Sequence, residues 1–127
     1  MTRRLAWFIA VGSAAAALHF GVVVWLVSQH GWPPLRANVG GWLAAVGLSY
    51  VGHHRLTFAQ QQAPAWRAAR RFVLLSAAGF AINQASYAVL LHGAGIGYRL
   101  ALVSVLAGVA LLTYWASRRW AFAAPGR

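Results

Sequence analysis

Apolar residues fill four long stretches of this chain: Leu5 to about Ser28, Ala37 to about His54, Phe72 to His92, and Leu100 to Ser117. None has an arginine in its interior. A helix crossing the hydrocarbon core needs about 17–25 predominantly apolar residues, so all four qualify, the second and fourth near the short limit. Runs this uniformly apolar carry no usable period, and their length decides for helix over strand. The first run follows Arg3-Arg4, like the charged start of a signal peptide. It is too long for a signal core, and no Ala-x-Ala cleavage site follows Val22-Val23-Val24-Trp25, so it reads as a retained span. The pattern predicts an all-α, polytopic membrane protein with four transmembrane helices.

Charge gives these helices an orientation. Eleven arginines supply every formal charge, with no aspartate or glutamate. Nine of them (Arg3, Arg4, Arg55, Arg67, Arg70, Arg71, Arg118, Arg119 and Arg127) fall on one side of a four-span layout. Two, Arg36 and Arg99, fall on the other. Basic residues collect in cytoplasmic loops, so both termini and the central loop are expected in the cytoplasm, an N-in/C-in topology in the inner membrane. The same bias opposes dual topology. Nucleic acid is not an expected partner, because the arginines cap apolar runs and form no basic stripe. Anionic lipid headgroups lie where these arginines fall.

The chain also repeats itself. Arg3, Arg4, Gly12 and Phe20 match Arg70, Arg71, Gly79 and Tyr87 at a spacing of 67. Tyr50, Arg55 and Phe58 match Tyr114, Arg119 and Phe122 at a spacing of 64. The expected difference of three falls in the outer loops, where the first copy has an extra Trp32-Pro33-Pro34 segment. One domain over 1–127 is therefore expected, built as two parallel two-helix repeats: repeat one 3–58, a cytoplasmic linker 59–69, and repeat two 70–122. Within the linker, Ala59 to Pro64 reads as loop and Ala65 to Arg71 as a short interfacial helix. Transporters commonly bind substrate between such repeats. Small-residue stripes, Gly40-x-x-x-Ala44 and Ser104-x-x-x-Gly108, recur at the 64 spacing and predict close helix packing.

Enzyme chemistry finds few tools here. The chain has no carboxylate for acid–base work or metal binding and no cysteine, and its five histidines show no metal-ligand spacing. A serine nucleophile would lack an orienting acid. No catalysis, cofactor or metal is expected. A site without carboxylates and rimmed by arginine favours an anionic ligand, since guanidinium pairs well with phosphate. Inside the spans, polar groups are sparse: His19, with Ser86 matched to it, then Asn83, Gln84 and Tyr87, and near the cytoplasmic ends Ser49-Tyr50 and Thr113-Tyr114. Such residues face a bundle interior or cavity, either as a site or as interhelical hydrogen bonds.

The chain's endings carry a resemblance. Thr113-Tyr114-Trp115-Ala116-Ser117-Arg118-Arg119-Trp120-Ala121-Phe122 is similar to the Asn-Phe-x-x-Ser-Arg-Arg-Trp-x-Phe motif closing even spans in the GtrA-like family of small four-span proteins, apart from the leading Asn. Ser49 to Phe58 is a more degenerate copy, with His54 in place of an arginine. Phe8-Ile9-Ala10-Val11-Gly12, and Arg71-Phe72 with Gly79, resemble that family's starts of odd spans, so the likeness covers nearly the whole chain. The resemblance implies translocation of a polyprenyl-phosphate-linked sugar across the cytoplasmic membrane, for surface polysaccharide or envelope glycosylation. Arg118, Arg119 and Arg55, joined by Arg70 and Arg71, would hold the lipid phosphate. Trp120, Asn83, His19, Tyr114 and Tyr50 would line the sugar or lipid path. Implied partners are the lipid-linked sugar, anionic lipids and a membrane glycosyltransferase, and the thin core of a single copy adds homo-oligomerisation. Two other readings stay open: a membrane subunit that docks or stabilises a polyprenyl-phosphate glycosyltransferase, and a small anion channel. Against the channel, the first-helix signature of small fluoride channels is missing.

Overall fold

The computed structural model describes residues 3–57 and 65–116, without the side chains of Arg4, Leu5, Thr57, 65–69, Arg71, Phe72 and 113–116. Four α-helices follow one another: α1 (Arg3–His30), α2 (Pro34–Gly52), α3 (Ala65–Ala88) and α4 (Tyr98–Ala116). Five-residue π-helical turns, His53–Thr57 and Val89–Gly93, extend α2 and α3. No strand occurs among the described residues. Residues Ala65 to Arg71 do not form a separate helix. They are the first turns of α3, because no Gly or Pro between Ala65 and Phe72 breaks the helix.

The α1–α2 and α3–α4 turns show why the helices stop where they do. α1 ends at Gly31, whose φ of 65° is in the left-handed region that only glycine enters without strain. Trp32 N–H then donates back to Leu26 O (3.1 Å). Pro34 opens α2 at a position where a missing N–H costs nothing, and Ala37 N–H donates to Pro33 O (2.9 Å). The second turn repeats this geometry: Gly95 has φ 66°, Ile96 N–H donates to Leu90 O (3.2 Å), and Ala101 N–H donates to Gly97 O (3.0 Å). The left-handed glycine and both backbone hydrogen bonds thus recur at a spacing of 64, whereas Tyr98 stands where the first turn has Pro34. Buried positions recur likewise: Ala37, Asn38 and Gly41 on α2 against Ala101, Leu102 and Val105 on α4, and His19 and Val23 on α1 against Asn83 and Tyr87 on α3.

These recurrences at 64 stand beside the spacing of 67 at which Arg3, Arg4, Gly12 and Phe20 match Arg70, Arg71, Gly79 and Tyr87. Trp32-Pro33-Pro34 lies 64 residues before Ile96-Gly97-Tyr98, and the hydrogen bonds that flank the two turns keep that spacing. A Cβ on Gly12 or Gly79 meets nothing within 4 Å, so these two glycines bring no helices together. Ser86, the match of His19 at 67, is exposed, and Asn83, 64 residues after His19, is buried.

Val23 and Leu26 of α1, Ala37 of α2, Tyr87 of α3 and Ala101, Leu102 and Val105 of α4 make one core cluster beside these two turns. Around it the molecule is inside-out. Leu75, Val89, Leu100 and Leu111 are each more than 60% exposed, and such side chains run along whole helices. Scattered exposed apolar residues are ordinary on soluble proteins, whereas continuous exposure suits surrounding hydrocarbon. Ala6–His30 and Val73–Gly93 are long and apolar enough to cross a membrane, and Tyr98–Leu112 is a shorter apolar helix. α2 is diluted by Arg36, Asn38 and its four glycines.

Candidate functional site

The seam between the α1–α2 hairpin and the α3–α4 hairpin is closed by polar side chains. Asn38, one turn into α2 and fully buried, is the hub. His19 Nε2 donates to Asn38 Oδ1 (2.6 Å). Asn38 Nδ2 donates to Asn83 Oδ1 (2.8 Å) and to Gln84 Oε1 (2.7 Å). Gln84 Nε2 then donates to the backbone carbonyl of Leu35 (2.9 Å). Both amide protons and the carbonyl oxygen of Asn38 are thus engaged, and no buried side-chain N or O among the described residues lacks a partner. A satisfied network of this kind holds one arrangement, because each group that loses its partner in a dry interior costs about 1–3 kcal/mol.

The helices put these residues together by register. His19 reaches Asn38 because Gly41 lets α2 ride against α1 at that level: a Cβ there would lie 2.6 Å from His19 Cδ2 and 2.8 Å from its carbonyl oxygen. Deeper along the seam, Trp42 stacks on Phe80 (4.8 Å between centroids) and donates from Nε1 to Ser76 Oγ (3.1 Å). These contacts join α2 to α3, hence one hairpin to the other.

Of the expected path residues, His19 and Asn83 meet in this cluster through Asn38, with Gln84 beside them. Tyr50 lies elsewhere, at the far end of α2, stacked on His54 at 5.7 Å. His54 and Arg55 are exposed on the π-helical turn, while His53 is buried and stacks on Phe8 of α1 (5.2 Å). π-turns inside helices often mark functional positions. Arg70 is exposed on α3. The side chains of Arg71 and Tyr114 lie outside the described residues, as do Arg118, Arg119, Trp120 and the linker segment 59–64. The residue that sequence reasoning missed is Asn38. It follows Arg36 by two positions at the edge of an apolar run, and its counterpart at a spacing of 64 is Leu102, so neither burial nor repetition pointed to it.

Four helices exposing apolar side chains and closing on a buried amide–imidazole seam define a helical integral membrane domain. The chain belongs to the family described as GtrA/DPMS, transmembrane domain, whose model matches residues 7–122. No curated protein and no solved structure matches it. Membership suggests involvement in handling polyprenyl-phosphate sugars.

Proposed function

We infer that the chain moves a polyprenyl-phosphate-linked sugar across the inner membrane, spanning it four times with both ends in the cytoplasm. The family match over 7–122 carries this reading. The seam supports its location, since asparagine, glutamine and histidine side chains donate and accept hydrogen bonds and can exchange each other for sugar hydroxyls. Movement then requires the two hairpins to part at Asn38, with sugar hydroxyls taking over the partners of Asn38, Asn83 and Gln84. Arg118, Arg119, Arg55, Arg70 and Arg71 hold the phosphate at the cytoplasmic face, where Tyr50, Tyr114 and Trp120 flank the sugar or lipid. The parallel duplication belongs to the same reading and is supported by the recurrence at 64 of turns and buried positions. The chain itself performs no catalysis, works as a homo-oligomer and delivers to a membrane glycosyltransferase.

The deciding experiment is translocation of a labelled polyprenyl-phosphate sugar by the purified chain in liposomes. Wild type is expected to equilibrate the label between leaflets, and R118Q/R119Q to insert normally while losing most of that activity. No translocation by the inserted wild-type chain would defeat the reading and favour a docking subunit. For topology, tags at both termini and in the 59–66 loop should all be reached only from the cytoplasm.

A further inference from the structure

Trp42 sits where a tryptophan in a membrane protein is least expected. It lies eight residues after Pro34 in α2, about 12 Å along the axis at 1.5 Å per residue. That depth is near the middle of a hydrocarbon layer about 30 Å thick, away from the headgroup belts where tryptophan collects. Its indole stacks on Phe80 of α3, with 4.8 Å between centroids and 20° between planes, and its Nε1 donates to Ser76 Oγ (3.1 Å). All three residues are half-buried, and neither ring belongs to the core cluster or packs against it. The fold does not require the rings either. Leu106 and Ala16 stand at the positions 64 residues from Trp42 and Phe80, as Leu102 does for Asn38. Among these positions, the polar and aromatic side chains gather on one seam, α2 against α3.

We propose that Trp42 is the stacking platform for an uncharged pyranose during its passage through the seam, a proposal that rests on the function inferred above. The seam side chains form a ladder. Asn38 meets Asn83 and Gln84, and one turn further along α2, about 6 Å away, Trp42 meets Phe80 and Ser76. One aromatic face therefore has a hydroxyl group on one side and amide groups on the other. A pyranose matches that pattern. Its C–H bonds make an apolar, slightly positive face that stacks on the negative face of an indole, while its hydroxyls leave the ring edge towards donors and acceptors. An acyl chain stacks on nothing and leaves the polar groups unpaired. Phe80 covers the indole face in the closed seam, so hairpins that part at Asn38 uncover the platform as they free the amides. Charge narrows the sugar. Between Arg36 and His53, and between Arg71 and His92, no side chain carries a charge at neutral pH. His19, which reaches the seam from α1, serves there as a hydrogen-bond donor to Asn38. A charged sugar would pass this depth with no opposite charge beside it.

The test uses the full-length chain in liposomes with polyprenyl phosphates carrying glucose, glucosamine or glucuronic acid, each radiolabelled in the sugar. Exchange between leaflets should be about a hundredfold slower for the two charged sugars than for glucose, the penalty of an unpaired charge at the bilayer centre read as a rate. Trp42→Phe keeps an aromatic face and loses the N–H donor, and should slow glucose exchange about threefold. Trp42→Leu, which copies Leu106, loses both and should slow it about thirtyfold. With p-benzoylphenylalanine replacing Phe80 beside an intact Trp42, irradiation should attach the glucose-bearing lipid through its sugar, and excess phosphatidylglycerol should not displace it. This last measurement decides the matter where Trp42→Leu reduces the yield of folded protein. Equal exchange of the three sugars overturns the proposal, as does equal slowing by phenylalanine and leucine. Absence of sugar capture at Phe80, or its displacement by phosphatidylglycerol, also overturns it. In each of these cases, glucose exchange by the wild-type chain leaves the inferred function standing with the sugar elsewhere. Failure of the wild-type chain to exchange any of the three removes both.

Discussion

The two hairpins share their turns and differ in how they close. In α1–α2, glycines at 40, 41 and 52 let the helices meet along their length, against Leu26, against His19 and Val23, and against Val11. In α3–α4, the same positions hold Ser104, Val105 and Ala116, and contact concentrates near the turn around Tyr87, Leu102 and Val105. In a bilayer the helices gain nothing from hiding apolar surface, since lipid is equally apolar, and small residues decide how closely they approach. Ser104 and Val105, in place of Gly40 and Gly41, thus leave an apolar crevice between α3 and α4 where α1 and α2 meet closely. The tight hairpin also supplies the polar hub, Asn38, where the open one has Leu102. The first hairpin is closely packed and carries the hub, and the second brings Asn83 and Gln84 to it.

Making the first hairpin resemble the second is the harshest way to break this contrast. Gly41→Val copies Val105 and drives a side chain into His19 and its carbonyl oxygen at 2.6 and 2.8 Å. Backbone cannot yield as a side-chain tip can, so a loss of about 3 kcal/mol is expected, at the upper end of overpacking costs. Unfolding in detergent, followed by circular dichroism against a denaturant series, measures it. A variant as stable as wild type would mean that α1 and α2 are not in close contact at this level.

Asn38→Leu copies Leu102 and should cost less, roughly 2 kcal/mol. It removes three side-chain hydrogen bonds, from His19 to Asn38 and from Asn38 to Asn83 and Gln84, each worth about 0.6–1.7 kcal/mol in a membrane. Double-mutant cycles of Asn38→Leu with Asn83→Leu should show coupling, because the two share a bond. Strict additivity would place these residues in independent environments. The converse substitution, Gly108→Leu in the open hairpin, fills space and should shift stability by less than about 1 kcal/mol.

How much of this contrast is legible in the sequence depends on what each residue's neighbours are. Apolar runs announce the helices, and Gly31 with Pro33-Pro34 announces the first turn. His19, Asn83 and Gln84 stand out because polar groups are rare in apolar runs. Asn38 does not stand out, since next to Arg36 it reads as the headgroup edge, and only tertiary packing buries it. The recurrence of some buried positions is equally hidden. Gly12 and Gly79, where a Cβ meets nothing, match at 67, whereas Val23 with Tyr87 and Asn38 with Leu102 are buried at 64, and a sequence does not label which of its residues are packed. The resemblance at the chain ends, by contrast, was readable residue by residue, and the family match confirms it.

The smallest expected effect concerns His19, the mid-span titratable side chain at the seam. Proton-driven carriers need a membrane-embedded group that gains and loses a proton, normally a carboxylate, and this chain has none. Histidine is the remaining candidate. Its observed part is a single hydrogen bond, Nε2 donating to Asn38 Oδ1 at 2.6 Å, which a neutral imidazole makes without any change of charge. A glutamine side chain also presents an N–H donor near that point, so His19→Gln should keep the hub engaged. Under the proposed function, movement of the lipid-linked sugar is then expected to be passive and bidirectional, drawn outward by transferases that would consume it on the far side. His19→Gln should retain most exchange activity in liposomes, within about threefold, equivalent to well under 1 kcal/mol, and collapsing the proton gradient should leave exchange running. If exchange instead needs the gradient, and His19→Gln abolishes that dependence, the imidazole cycles between charge states. The polar hub of the first hairpin would then be the coupling element, and the contrast between the hairpins would be one of energy coupling as well as packing.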